Sequence, residues 1–390
     1  MTSLTLPRAD GSLERYDIRN APLSVATGGA RPDFNRIAYA AAHVVVDPLA
    51  DTAPWVESRI DWDRTIAFRE YLWDLGLGVA EAMDTAQRGM GLDWVGAQQL
   101  IRHALAAAKL RDGALIACGV GTDHLAPSAT VTIDDVIRAY EEQFAFVEGL
   151  GGRAILMASR ALVVAAKGPD DYVAVYDRLL RQAREPVILH WLGEMFDPAL
   201  AGYWGHADHD RAMDVAVDVI NSQADKVDGI KISLLSADKE IAMRRRLAPS
   251  VKMYTGDDFN YAELIAGDAK GYSHALLGIF DAIAPAASAA LAALASGRRT
   301  EFDSILEPTV PLSRLIFKAP TRFYKTGVVF LAWLNGFQDH FLMLGGQQSA
   351  RSLTHFAEIF RLADAARVLR DPELAAKRMR QLLAVGGVEG

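Results

Sequence analysis

Eight times along the chain, a short and continuously apolar segment is followed by a longer stretch whose apolar residues recur at helical spacing. This alternation restricts the fold more than any other feature of the sequence. The apolar segments are residues 37–46, 78–83, 113–118, 153–157, 186–190, 228–232, 251–255 and 271–274. Runs that are apolar on consecutive residues suit strands covered on both faces, as in parallel sheets. The stretches between them read as amphipathic helices: 65–75 carries Ile66, Phe68, Tyr71, Leu72 and Leu75, and 170–182 carries Val173, Val175, Tyr176, Leu179 and Leu180. Successive strands lie about 35 to 40 residues apart early and about 20 apart for the last three. Eight βα units predict an α/β protein, a (β/α)8 TIM barrel, which needs about 250 residues. The alternative is a doubly wound open sheet. No Gly-x-Gly-x-x-Gly opens a helix after the first strand, which counts against it.

Three segments follow from this pattern. The barrel is expected over 36–285. Residues 1–35 are polar, contain Gly28-Gly29-Ala30-Arg31-Pro32, and read as an irregular N-terminal arm with one short strand at 13–18. Residues 286–390 read as a C-terminal helical extension, with helices at 287–295, 304–316, 326–341, 352–368 and 372–385. Its Trp333, Phe337, Phe341 and Leu342 are expected to pack on the barrel or on a partner subunit. Lys plus Arg number 41 against 49 Asp plus Glu, a net charge of −8, which argues against a nucleic-acid partner. The single cysteine, Cys118, makes no internal disulfide and no cysteine zinc site. No apolar run reaches about 18 residues and no secretory h-region opens the chain, so no membrane association and a cytoplasmic location are expected.

Barrel chemistry sits at the C-terminal ends of the strands. Lys231 is a lone lysine inside the otherwise apolar sixth strand. Desolvation disfavours its charged form, and a neutral amine attacks a ketone or aldehyde to form a Schiff base. The competing expectation is a lysine salt-bridged to Asp257 or Glu194. His190 ends the fifth strand and is placed to pass protons, or is simply a satisfied core histidine. Asp257 and Asp258 follow Gly256, a pattern that also caps turns. Arg160 after the fourth strand suits a bidentate clamp on a carboxylate or phosphate, unless it is a solvated surface arginine. Glu81, Asp84, His43, His190 and Glu194 could converge at the mouth, and carboxylates with imidazole suit Mg2+, Mn2+ or Zn2+. His206-x-x-His209 in a loop is a weak zinc signal.

Several of these segments, in this order, resemble the dihydrodipicolinate synthase and N-acetylneuraminate lyase family. Val227-Asp228-Gly229-Ile230-Lys231 resembles that family's strand-six Gly-Ile-Lys, whose lysine forms the Schiff base. Tyr254-Thr255-Gly256-Asp257-Asp258 resembles its Ser/Thr-Gly-Asp-Asp, and Ala117-Cys118-Gly119-Val120-Gly121-Thr122 its strand-three Gly-x-Gly turn. Ala269-Lys270-Gly271-Tyr272-Ser273 stands where the family has a Gly-rich strand eight. The resemblance covers roughly residues 37–345 and is nearest to a dihydrodipicolinate synthase-like branch with longer termini. It implies homo-oligomer contacts through the C-terminal helices. Three motifs depart. The family's Gly-Thr-Thr-Gly-Glu, which grips the carboxylate of pyruvate, is replaced by Glu81-Ala82-Met83-Asp84-Thr85. Its strand-five tyrosine, the proton shuttle, is replaced by His190, and its strand-four Tyr-Tyr pair has no counterpart before Arg160.

The expectation is therefore a lyase of the Schiff-base aldolase type, acting on a small carbonyl compound such as a keto-sugar, sugar acid or 2-oxo acid. Lys231 and His190 are the catalytic pair. Asp84, Thr85, Arg160, Glu194, Asp257 and Ser273 bind substrate, and no cofactor is needed. Two alternatives remain: a metal-dependent sugar isomerase, epimerase or lyase with Glu81, His190 and Glu194 as ligands, and a ligand-binding barrel without activity.

Overall fold

A computed structural model describes residues 2–23 and 32–388. Strands β1 (Ser3–Pro7) and β2 (Leu13–Asp17) form an antiparallel hairpin. Eight parallel strands then close into a barrel: β3 (Ala38–Ala41), β4 (Gly78–Glu81), β5 (Ile116–Val120), β6 (Arg153–Leu156), β7 (Val187–Leu192), β8 (Val227–Ser233), β9 (Lys252–Thr255) and β10 (His274–Leu277). They pair in sequence order, and β10 closes on β3. The expected (β/α)8 barrel is the fold.

Strand alternation decides what faces the barrel axis. Tyr39, Ala41, Ala80, Ala117, Ile155, Ile188, Tyr254 and Leu276 form a separate buried cluster filling the interior. Their sequence neighbours, among them Ala40, Val79, Cys118, Leu156 and Leu189, join the layer between strands and helices, as does Ile230 of β8. Counting in twos from Ile188 turns His190 inward. On β8, where His190 lies in register with Lys231, the same count turns Gly229, Lys231 and Ser233 inward. The surrounding helices begin where side chains supply caps. Asp61 accepts from the Arg64 amide, and Thr132 and Asp135 form a capping box.

The N-terminal stretch is more regular than expected. β2 matches the predicted strand, and β1 precedes it because Leu4 and Leu6 bury one face of a five-residue strand, too short a pattern to read reliably from sequence. Of the Gly28–Pro32 stretch, Gly28 to Arg31 lie outside the described residues. The hairpin docks on the C-terminal helices: Tyr16 donates to Asp364 at 2.7 Å, and Arg361 pairs with Glu14 at 2.8 Å. Within the extension, the helix Tyr324–Leu334 is buried along its whole length. Trp333 stacks on Phe341 with ring centroids 5.6 Å apart, and Phe337 packs edge-on to Phe68 of the barrel's first helix. These aromatics therefore pack inside the chain. No helix among the described residues is long and apolar enough to cross a membrane.

Candidate active site

Lys231 projects into the C-terminal half of the barrel and is 7% exposed. Its position depends on the neighbouring strand. A Cβ on Gly256 would lie 2.6 Å from the Lys231 Cε and 2.3 Å from the Ser233 Oγ, so only glycine leaves room for this side chain. Among the described residues no carboxylate lies within ion-pair distance of Lys231, so the expected alternative of a lysine tied to Asp257 or Glu194 is not what the structure contains. Burial lowers its pKa, while the more distant Asp258 and Asp84 pull the other way.

Two titratable groups flank the amine. His190 is buried; burial, then the charge on Lys231, hold its pKa well below the usual histidine value, which leaves the imidazole neutral. Its Nε2 lies 3.3 Å from the Ser233 hydroxyl, and its Nδ1 is buried without a hydrogen-bond partner. Asp258 accepts from the Ile279 amide at 2.9 Å, and burial lifts its pKa to about 7 against the pull of Lys231. An amine biased toward the free base thus shares a low-dielectric site with a carboxyl biased toward the acid.

A cavity of about 90 Å³ opens above this group, bounded in part by Asp84, Thr122, Met157, Arg160, His190 and Leu192. His190 lines this cavity, and Lys231, in register with His190 on the next strand, is not itself among the lining residues. A smaller recess shares Asp84, Arg160, Leu192 and Asp197 with that cavity and is closed by Arg322, Tyr324 and Lys325 from the C-terminal extension. Tyr324 is anchored by a 2.8 Å hydrogen bond to the buried Thr85 hydroxyl. Sequence reasoning missed Ser233, Tyr324 and Lys325 as site residues. Ser233 was detectable by counting two residues on from Lys231, but nothing local signals the other two.

The remaining expected site residues are distributed unevenly. Asp84 and Arg160 line the cavity, although Arg160 is already paired with Asp197 across its rim. Thr85 supports Tyr324. Four assignments need correction. Glu81 ends β4 at an outward position, where its carboxylate takes two 2.9 Å bonds from Arg69, both side chains being fully buried. Glu194 lies on the loop after β7, 42% exposed, and pairs with His209 at 3.2 Å. The set Glu81, His190 and Glu194 therefore does not converge, and no group of three or more His, Cys, Asp or Glu among the described residues is arranged to hold a metal. Asp257 caps its own turn, accepting from the Phe259 and Asn260 amides and the Asn260 side chain, so Asp258 rather than Asp257 faces the lysine. Ser273 precedes β10, at the N-terminal end of the barrel, and donates to the buried Glu240 at 2.6 Å. His43, buried against Asp281 at 2.8 Å, stands apart from the cavity wall.

The fold and site define a parallel eight-stranded barrel with an inward lysine on its sixth strand and a mouth completed by C-terminal helices. Solved structures of similar fold include dihydrodipicolinate synthases and their relatives. One from Aquifex aeolicus has a TM-score of 0.61 at 12% identity, covering 90% of this chain and 98% of that one. One from Thermotoga maritima has a TM-score of 0.63 at 12% identity, covering 86% and 100%. YagE of Escherichia coli K12, a prophage protein of the dihydrodipicolinic acid synthase family solved with pyruvate, has a TM-score of 0.63 at 12% identity, covering 91% and 99%. At such identities the likeness is one of fold. No curated protein matches the sequence. A family model described as protein of unknown function (DUF993) matches residues 4–388, and the chain belongs to that family.

Proposed function

We propose that the protein is a class I aldolase-type lyase in which Lys231 forms a Schiff base with a small ketone or aldehyde. One observation carries this reading: a buried lysine amine with no ion-pair partner, held by glycine on one side and set beside a neutral imidazole below a cavity. The free amine adds to the carbonyl carbon, and the carbinolamine loses water to give an iminium. The protonated carboxyl of Asp258 is suited to supply the proton that leaves with that water. His190 then takes the proton from a hydroxyl β to the iminium carbon. The O–H electrons form a new carbonyl, the adjacent C–C bond breaks, and its electrons are stored as the enamine. Protonation of the enamine and hydrolysis of the resulting iminium release the second product and restore Lys231. Asp84, on the cavity wall, is placed to accept from substrate hydroxyls.

The substrate class is a keto-sugar, sugar acid or 2-oxo acid. The pyruvate complex of YagE makes pyruvate a first probe here. The test is to incubate the protein with pyruvate, longer 2-oxo acids and keto-sugars, add borohydride, and measure the mass of the tryptic peptide holding Lys231. A reduced adduct on that residue, absent in Lys231→Ala, is expected. Loss of the reading follows if no carbonyl compound labels Lys231 and the Lys231→Ala variant turns over any substrate found at the native rate.

A further inference from the structure

The recess beside the main cavity contains a second buried lysine that the lyase chemistry does not use. Lys325 is the second residue of the helix Tyr324–Leu334 and is 4% exposed. Its ammonium donates to the Arg322 carbonyl at 3.1 Å and touches the Met90 sulfur at 3.5 Å. No carboxylate among the described residues lies within ion-pair distance of it. A methionine would fill this space without the desolvation cost, and no carboxylate pairs directly with the ammonium, so the site keeps a charged donor available to an incoming anion. The recess holds four cationic side chains, Arg88, Arg160, Arg322 and Lys325, against Asp84 and Asp197. Arg88 is tied to Asp123 and Arg160 to Asp197, which leaves Lys325 and Arg322 facing Asp84. The helix also starts at this wall, with the positive end of its dipole toward the recess.

We infer that Lys325, with Arg322 and Arg160 at the rim, is a binding residue for an acid group, a carboxylate or phosphate, on the substrate end remote from the reacting carbonyl. This rests on the reading of Lys231 as the carbonyl site. The recess, about 30 Å³, adjoins the main cavity across the shared Asp84, Arg88, Arg160, Leu192 and Asp197, which puts the acid-group site next to the space proposed for the rest of the substrate. The C-terminal extension would then select acidic substrates.

Binding follows the charge on Lys325. Burial lowers its pKa to about 8; Asp84 and Asp197 act to raise it, and Arg160 and Arg322 to lower it. The adjacent Tyr324 phenol, whose ring lies 4.7 Å from the ammonium, is held well above its ordinary pKa and stays neutral. An anion that needs the ammonium should bind about tenfold more weakly at pH 9 than at pH 7.

The test measures thermal protection and calorimetric binding of two probes, inorganic phosphate and propionate, on the native protein, Lys325→Met, Lys325→Arg and Lys231→Ala. At least one probe should bind the native protein, and the one that does identifies the acid group. Lys325→Met should lose at least tenfold in affinity yet melt no lower than native without ligand, while Lys325→Arg keeps most of the affinity. Propionate, fully ionised throughout, serves for the pH series if it binds, and phosphate at fixed dianion concentration if it alone does. Equal binding by Lys325→Met, or no binding of either anion to the native protein, overturns the proposal. Lys231→Ala should bind the anion normally, so a failure of the Schiff-base chemistry leaves a different signature, absent borohydride labelling with intact anion binding.

Discussion

The substitution Gly256→Ala isolates the packing that holds the Lys231 amine. The new methyl would sit 2.3 Å from the Ser233 Oγ, 2.6 Å from the Lys231 Cε and 2.8 Å from the Ile232 carbonyl oxygen. Ordinary contact requires about 3.4 Å, so the lysine chain must withdraw by about 0.8 Å and the serine hydroxyl by about 1.1 Å. The carbonyl has little freedom to retreat, because it accepts from the Gly256 amide at 3.0 Å. Overpacking of this kind costs about 1–3 kcal/mol. With an unfolding entropy of about 2 cal/mol/K per residue, that lowers Tm by roughly 1–4 °C in a chain of 390 residues. Displacing a nucleophile by about 1 Å can cost about 100-fold in rate. Gly256→Ala should therefore melt only slightly lower than the native protein, yet form the borohydride-trapped adduct on Lys231 about 100-fold more slowly. Native trapping kinetics together with an unchanged Tm would show that the glycine does not set the position of the amine.

Three further outcomes follow from particular contacts. Glu81→Gln breaks a fully buried ion pair with Arg69 and should destabilise the protein by about 3–5 kcal/mol in urea titrations; a loss below about 1 kcal/mol would contradict the pairing. The folded-state pKa of Asp258 is about 7, above its ordinary 3.8, so the folded chain retains a proton that the unfolded chain has lost across that interval. Its contribution to stability is complete below about pH 4 and declines as pH rises toward 7, and Asp258→Asn should remove this decline; an unaltered pH profile of denaturation would refute the assignment. Ser273→Ala removes the donor to the buried Glu240 and should cost about 1–3 kcal/mol while leaving Lys231 trapping rates at native level; slower trapping would return Ser273 to the site.

The barrel was legible because its strands announce themselves: all eight apolar runs overlap the observed strands, the eighth only at His274, and the alternation between them and helical stretches leaves few other folds. Lys231 was legible for the same reason, as a charge in an apolar run. The eighth strand shows where the pattern misled. Gly271-Tyr272-Ser273 reads as the strand, but Asp268 and Gly271 close a turn by a 2.8 Å backbone bond, and pairing with β3 involves only Ala275 to Leu277. That displacement of three residues moved Ser273 from the N-terminal end of the barrel to its mouth. Glu81 misled differently. It lies near the C-terminal end of its strand, as catalytic residues do, but on the odd side of the pleat, where Arg69 awaits it. Tyr324 and Lys325 were beyond reach because no local pattern predicts contact between segments so far apart in sequence.

The Thr85–Tyr324 bond spans 239 residues, and the Gln87 side chain donates to the Leu344 carbonyl 257 residues away. On the ribosome, the loops that await these partners emerge long before them. A nascent chain that has made all eight strands still lacks Tyr324 and Leu344, so its vestibule stays unroofed until the helical extension emerges. The compartment around the Lys231 amine is closed by segments that lie beyond the last barrel strand in sequence, so it takes shape only after all eight strands have been made.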